Sequence, residues 1–198
     1  GVGFLGSVLV FVLSGMVMQM VDSTLRVDYV TTAISAIMLY VFTLDMIQQT
    51  DGLTGLINRR GFENTLAHLR EPCIILFFDV DCFKSINDTY GHAVGDRCLR
   101  LTGRALWEVY SRCGHCFRIG GDEFCVILMK HMQSVESLWD ELVAAMARAR
   151  QEEPVLPGLS MGYAIFDPDH LTPQEAVEEA DQMMYRVKQS RKKAERAK

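Results

Sequence analysis

The sequence lacks an excess of positive charge: 25 Asp and Glu stand against 20 Lys and Arg, a formal net charge of −5. This balance excludes a protein that binds DNA or RNA through its overall field, although a local basic pocket for one nucleotide remains compatible with it. Regular cysteine spacing is also missing. The six cysteines, Cys73, Cys82, Cys98, Cys113, Cys116 and Cys125, are spread through apolar or helical stretches. That pattern excludes a small secreted disulfide scaffold and favours a reduced cytosolic setting for this part of the chain. No initiator Met is present, the chain beginning at Gly1, so a fragment of a longer protein is expected.

Charge is absent altogether from residues 1–21, GVGFLGSVLVFVLSGMVMQMV, and about 20 apolar residues is the length of a bilayer-spanning helix. A short polar loop comes next. A second uncharged run covers residues 29–44, slightly short for a span, with Asp28 and Asp45 at ends that could meet headgroups and Tyr29 suited to an interface. The expectation is an N-terminal apolar helical hairpin over residues 1–47 that engages a lipid bilayer. The alternative is a pair of buried or dimer-forming helices. A cleaved signal peptide fits poorly, because no basic region precedes the apolar run.

Composition changes at Gln48, and residues 48–198 read as a second domain in which charged and turn residues alternate with short apolar runs. A helix is expected over residues 60–70. CIILFFDVD, residues 73–81, reads as a strand buried on both faces that ends in carboxylates. Short helical matter begins at Phe83, and a longer helix is expected over residues 94–110. CFRI and EFCVILM flank Gly120-Gly121, a hairpin signal because glycine tolerates positive φ. A helix over residues 135–151, a strand over residues 159–166, and a helix starting at Thr172 with Pro173 at its first position and Glu175 in its first turn complete the order. The fold class this implies is α+β: a mostly antiparallel sheet flanked by helices, close to the ferredoxin-like arrangement.

Asp79 and Asp81 sit where a buried strand meets a loop, and Asp122 and Glu123 sit at a hairpin turn. A sheet that sets these elements side by side converges the carboxylates, and such a cluster repels itself unless cations are present. Hard divalent cations with oxygen ligands, Mg²⁺ in particular, fill such sites together with substrate phosphates. Solvated turn carboxylates are the ordinary alternative, weakened for Asp79 by the apolar run before it.

RIGGDEF, residues 118–124, resembles the signature of the GGDEF family of diguanylate cyclases. Four further segments are similar to family motifs in the same order: DGLTGLINRRGF (51–62), FDVDCFKSINDTYGHAVGD (78–96), LSMGYA (159–164) and ADQMMYRVK (180–188). The resemblance implies a nucleotidyl-cyclase-type sheet and synthesis of cyclic di-GMP from two GTP, with Mg²⁺ (or Mn²⁺) and release of two pyrophosphates across a homodimer. It implies that Asp79 bridges the metals, that the Val80 carbonyl is a ligand, and that Asp122 and Glu123 complete the site, the split between base and ligand roles staying open. Gly120 and Gly121 leave room for the triphosphate. Asn87 and Asp96 resemble the family's guanine readers, and Asp96 accepts from guanine donors where adenine offers no match. His92 is a further candidate base contact. Lys84, Lys188, Lys192 and the amides around Phe83 are expected to meet phosphate; the remaining basic residues of the tail, Arg191 among them, read as a solvated helix end. The implied location is a bacterial inner membrane, with the cyclase domain on the cytoplasmic side.

One departure from the family stands out. The product-inhibition motif R-x-x-D would fall at Ser111 and Gly114, and Arg112 is out of register. Cys113-Gly114-His115-Cys116 fills the same segment with the spacing of a redox or zinc pair, but it precedes a strand and no second pair completes four ligands, so a packing role is expected. Two other function classes remain: a catalytically silent GTP-binding or interaction module, and a cyclase with an adenine-containing product.

Overall fold

The structure, a computed structural model, describes residues 2–21, 27–129 and 134–196. The chain divides into two compact units, Gly1–Gln48 and Gln49–Lys198.

The first unit is a helix pair, α1 (Val2–Val21) and α2 (Val27–Gln48). The helices meet at a small-residue contact: a Cβ on Gly15 would come within 2.4 Å of Thr31 Oγ1, so only glycine lets the backbones approach there. Thr31 and Ser35 are buried, and the Ser35 hydroxyl donates to the Thr31 carbonyl at 2.7 Å. Leu9, Val10, Leu13, Met16 and Val17 remain exposed, as do Ile37, Leu39 and Val41. Among the described residues no helix is long and apolar enough to cross a membrane. This corrects the expected transmembrane hairpin. The second helix takes in both Asp28 and Asp45 instead of leaving them at its ends, and Thr31, Thr32, Ser35 and Thr43 interrupt its apolar run.

The second unit is built on a five-stranded sheet. Its elements are β1 (Ile57–Asn58), α3 (Arg59–His68), β2 (Cys73–Val80), α4 (Phe83–Tyr90), α5 (His92–Tyr110), β3 (Gly114–Arg118), β4 (Glu123–Met129), α6 (Val135–Glu152), β5 (Leu159–Phe166) and α7 (Pro173–Arg196). Strand order is β1-β3-β4-β2-β5. All neighbours run antiparallel except β1 and β3, which makes the sheet mixed. Without β1, the β-α-β-β-α-β path and its order match the ferredoxin-like arrangement. The two-residue β1 has no counterpart in the elements expected from sequence.

Local signals explain the element boundaries. The Asn58 side chain accepts from the Gly61 N–H at 3.1 Å and caps α3. Thr172 and Glu175 form a reciprocal capping box at the start of α7, with contacts of 2.8 and 3.3 Å. The apolar strand β2 lies between β4 and β5, and its residues alternate between two cores. Leu76, Phe78 and Val80 face α5 and α6, packing with Leu106, Tyr110 and Leu142. Cys73, Ile75 and Phe77 face α3 and α7, packing with Phe62, Ala180 and Met184. Each fully buried Phe or Leu contributes about 1.5–3 kcal/mol, so β2 anchors both cores. Parity also puts Asp79 on the α7 side.

Two backbone features set the positions of α7 and α4. Gly162 on β5 lies directly under α7: a Cβ there would be 2.1 Å from the Met184 nitrogen and 2.3 Å from the Ala180 oxygen. Cys82, which opens α4, has φ 55°, the sole left-handed non-glycine residue among those described. The glycines of the β3–β4 turn are not left-handed; positive φ is found at Gly55 and Gly91 instead. The hairpin forms as expected, but the conformational reason given for its glycines is corrected.

Candidate active site

Antiparallel pairing of β2 with β4 puts Asp79 opposite Glu123, and the Val80 N–H donates to the Asp122 carbonyl at 3.0 Å. Strand register thus delivers Asp79, Asp122 and Glu123 to one end of the sheet, with Asp81 just beyond. Asp79 is only 6% exposed, where an unpaired charge is costly. Lys188 of α7 meets it in an ion pair between Nζ and Oδ1. Burial pushes the Asp79 carboxyl up, the Lys188 bond and charge pull it back, and the charges of Asp122 and Asp81 push again, leaving it above the usual range. Glu123 is raised as well, by burial first and then by Asp122, Asp79 and Asp181, against Lys188. The cluster is short of positive charge.

Among the described residues no three His, Cys, Asp or Glu side chains are gathered so as to hold an ion on their own. Mg²⁺ is ordinarily held by one or two carboxylates plus substrate phosphates, not by an all-protein cage. Carboxylate oxygens beside a strand-end backbone carbonyl therefore fit a cation that arrives with a nucleotide, and they do not fit zinc.

The turn between β3 and β4 is shaped by its side chains. The N–H groups of Ile119 and Gly120 both donate to the Glu123 carbonyl, at 3.0 and 3.3 Å. A Cβ on Gly120 would lie 2.3 Å from Glu123 Oε2, so glycine lets the Glu123 side chain fold across the turn, whereas a Cβ on Gly121 would meet nothing within 4 Å. Behind the turn, Arg118 donates from Nη2 to the Gly121 carbonyl at 2.8 Å and from Nη1 to Asp51 at 3.1 and 3.3 Å. Asp51 also accepts from the Thr54 N–H and hydroxyl at 2.8 and 2.6 Å. Burial alone would raise the Asp51 carboxyl, but Thr54 and Arg118 outweigh it and hold the group below the usual range. Sequence reasoning misses this brace. Its only trace is that both residues lie in segments similar to family motifs, 67 positions apart.

A second group of candidates gathers where α4 meets α5. A Cβ on Gly95 would fall 1.9 Å from Asn87 Oδ1 and 3.3 Å from the Phe83 ring. Asn87 Oδ1 is buried with no hydrogen-bond partner, a cost of about 1–3 kcal/mol for the unliganded chain. Asp96, partly exposed, follows Gly95 directly, and the exposed Lys84 and His92 lie on the first turns of α4 and α5. The Lys192 side chain lies outside the described residues.

Arg191 departs from its expected role as a solvated helix end. Its Nη1 donates to Asp81 Oδ2 at 3.0 Å and to the Leu159 carbonyl at 2.5 Å. In the segment before the turn, Ser111 ends α5 and Gly114 opens β3, where a Cβ would strike the Ile127 carbonyl at 2.2 Å; no larger residue fits there without moving the strand. Cys113 and Cys116 are buried, and their thiols donate to the carbonyls of Tyr110 and Leu106. Burial pushes both up, Cys116 to about 12, so neither is a ready thiolate.

Residues 48–194 match the family described as "Diguanylate cyclase, GGDEF domain". The chain belongs to the GGDEF family. Among its relatives, diguanylate cyclase DosC of Escherichia coli is 33% identical over 152 residues, covering 70% of this chain and 32% of DosC. Diguanylate cyclase DgcP of the same species is 31% identical over 191 residues, covering 91% of this chain and 54% of DgcP. The chain thus spans between a third and about half of these relatives' lengths. Among solved structures, the GGDEF domain of TpbB from Pseudomonas aeruginosa superposes with a TM-score of 0.59 at 32% identity, covering 71% of this chain and 89% of that one. The coiled coil and GGDEF domain of DgcB from Caulobacter crescentus, in complex with c-di-GMP, superposes at 0.67 with 22% identity, covering 89% and 95%, a likeness of fold. The mixed five-stranded sheet flanked by helices is the GGDEF fold.

Proposed function

We propose that this GGDEF domain makes cyclic di-GMP from two GTP, each held by one protomer of a homodimer. The observation that carries the reading is the convergence of Asp79, Asp122 and Glu123 at one end of the sheet, with Lys188 above them and Asn87 and Asp96 on neighbouring helices. Asn87 and Asp96 accept the donor edge of guanine; the buried Asn87 oxygen without a partner supports this. Gly121 leaves the turn open to the triphosphate, and Lys188, with Lys84 and Lys192, supplies positive charge to it. Mg²⁺, or Mn²⁺, held by Asp79, Asp122, Glu123 and the Val80 carbonyl, would neutralise phosphate charge and make the ribose 3′-hydroxyl more acidic. Asp122 would take that hydroxyl's proton or help hold the cation that acidifies it. The 3′-oxygen attacks the α-phosphate of the partner's GTP, one P–O bond forms, and the bond to pyrophosphate breaks; the reciprocal step closes the ring.

Ser111 and Gly114 offer neither the Arg nor the Asp of R-x-x-D, which supports a cyclase without feedback through that segment. The site of action follows from the substrate: the domain works on the cytoplasmic side, where GTP is. Attachment to the bacterial inner membrane belongs to the proposal only through the uncharged residues 1–21 and the exposed apolar side chains of α1 and α2.

A silent module is the second reading. It is favoured by the likeness to the cyclic di-GMP phosphodiesterase PdeB of Shewanella oneidensis, 33% identical over 138 residues that make up 16% of its length. Incubation of the chain with Mg²⁺ and GTP, ATP or both, beside an Asp122→Ala control, separates the readings by chromatography of the products. Cyclic di-GMP from GTP alone is expected. No turnover by a folded dimer would leave the silent module standing.

A further inference from the structure

We propose that Arg191 is a positioning residue for GTP binding: by clamping Asp81 to the start of β5, it fixes the strand-to-helix connection that carries the phosphate-facing amides. The inference rests on the cyclase reading and concerns a residue which that reading leaves without a role.

Asp81 is held from three sides. Its N–H donates to the Gly158 carbonyl at 2.9 Å. Its Oδ1 accepts from the Ser160 hydroxyl at 2.6 Å, and its Oδ2 from Arg191 Nη1 at 3.0 Å. A Cβ on Gly158 would lie 3.0 Å from the same Oδ2, so glycine at that position keeps the approach clear. The one Arg191 nitrogen also donates to the Leu159 carbonyl at 2.5 Å. A single cation thus ties the end of α7 to β5 and to the turn after β2.

The residue after Asp81 explains why such a clamp is useful. Cys82 takes the left-handed conformation at φ 55°, which costs a non-glycine residue about 1 kcal/mol and persists when its surroundings over-determine it. Cys82 also has no side-chain capping bond to α4. Cys82 is tied to α4 through its carbonyl, which accepts from the Ile86 N–H at 3.3 Å, and Asp81 anchors the connection from the other side. On the same helix, Lys188 lies one turn before Arg191 and takes Asp79, two residues before Asp81. The two pairs differ in kind. The Asp79 pair takes one oxygen of a carboxylate assigned to metal, whereas the Asp81 pair involves no residue assigned to metal or nucleotide and can stay closed throughout. Arg191 thus holds α7 independently of what Lys188 meets.

A clamp of this sort acts on bound nucleotide equally before and during reaction, so its loss raises KM more than it lowers kcat. Three forms of the full chain, unmodified, Arg191→Gln and Arg191→Lys, are titrated by calorimetry with 3′-deoxy-GTP, which binds and cannot cyclise, and assayed with GTP. Loss of a charge-assisted bond of this exposure predicts about tenfold weaker binding by R191Q, with kcat within about threefold. Because one nitrogen serves both acceptors, R191K is expected to restore binding to within about threefold of the unmodified chain. Three results overturn the clamp: R191Q binding as tightly as the unmodified chain, R191K binding no better than R191Q, or kcat falling together with affinity and melting temperature. If the unmodified chain binds no 3′-deoxy-GTP, the cyclase reading fails first and the clamp falls with it.

Discussion

The two ends of the proposed nucleotide site are incomplete in different ways. At the carboxylate end, burial and mutual repulsion raise Asp79 and Glu123, and Lys188 supplies the only strong relief among the described residues. At the α4–α5 end there is little charge to relieve. What is missing there is a hydrogen bond to the buried Asn87 oxygen. One end lacks cations and the other lacks a neutral donor, which are the two things that a metal-bound purine nucleotide brings together. Both deficits cost folding free energy in the empty chain, but through different physics, so substitutions at the two ends should diverge in their effects.

The largest effect is expected at the carboxylate end. Asp122→Ala should lower cyclic di-GMP formation about 10³-fold while leaving the fold intact, by chromatographic assay and circular dichroism; a loss under tenfold would move the chemistry elsewhere. At the other end, Asp96→Ala should act on selection rather than on the reaction itself. It is expected to raise the KM for GTP about 10- to 100-fold and to narrow the preference over ATP, read from competing-substrate assays. Gly95→Ala should give a smaller shift, about tenfold in GTP affinity, because the new Cβ would lie 1.9 Å from Asn87 Oδ1 and force that side chain to turn. Unchanged binding by G95A would separate Asn87 from the base.

The smallest effect has the opposite sign in stability. Glu123 is raised in the folded chain, so its contribution to stability is fully present below the ordinary glutamate value and is lost as pH rises through the folded one. Near neutral pH the charged form is a net cost. Glu123→Gln should therefore stabilise the metal-free chain by about 0.5 kcal/mol, kept small by solvent screening at a partly exposed group, and should flatten the fall in stability between acid and neutral pH. Urea titrations at several pH values check it. A less stable E123Q would mean that the carboxylate end is better satisfied than its charges indicate.

Legibility in the sequence depends on how far apart the partners lie. The β2 run, the β3–β4 hairpin and the start of α7 are readable because each is written within a few neighbouring residues. The convergence of Asp79 with Asp122 and Glu123 is readable from a strand end and a hairpin turn that one sheet would set side by side, whereas Asn87 and Asp96 join them only through the family resemblance. The strand β1 is invisible: two residues carry no period, and its pairing depends on β3. Arg118 with Asp51 and Arg191 with Asp81 escape for a related reason. Their partners lie 67 and 110 positions away, and a surface guanidinium reads as a solvated charge until the chain is folded. The N-terminal pair shows the reverse error. Hydropathy reads as two spans, the second bounded by Asp28 and Asp45, yet the second helix runs past both, because intrahelical hydrogen bonding continues through an isolated Asp.

The contact at Gly162 extends to the chemistry without touching it. The missing side chain sets the spacing between α7 and the sheet, and Met184, which rests on that glycine, is one turn before Lys188 and two before Arg191. A single methyl group at position 162 would act like a shim under a lever: the helix would tilt about its contact with β5, and the cations further along would be carried away from Asp79 and Asp81 together. Thickness at one strand position is thus a setting for how firmly the carboxylates are gripped, made on the same face of the sheet as Asp79 but by a residue that touches no carboxylate.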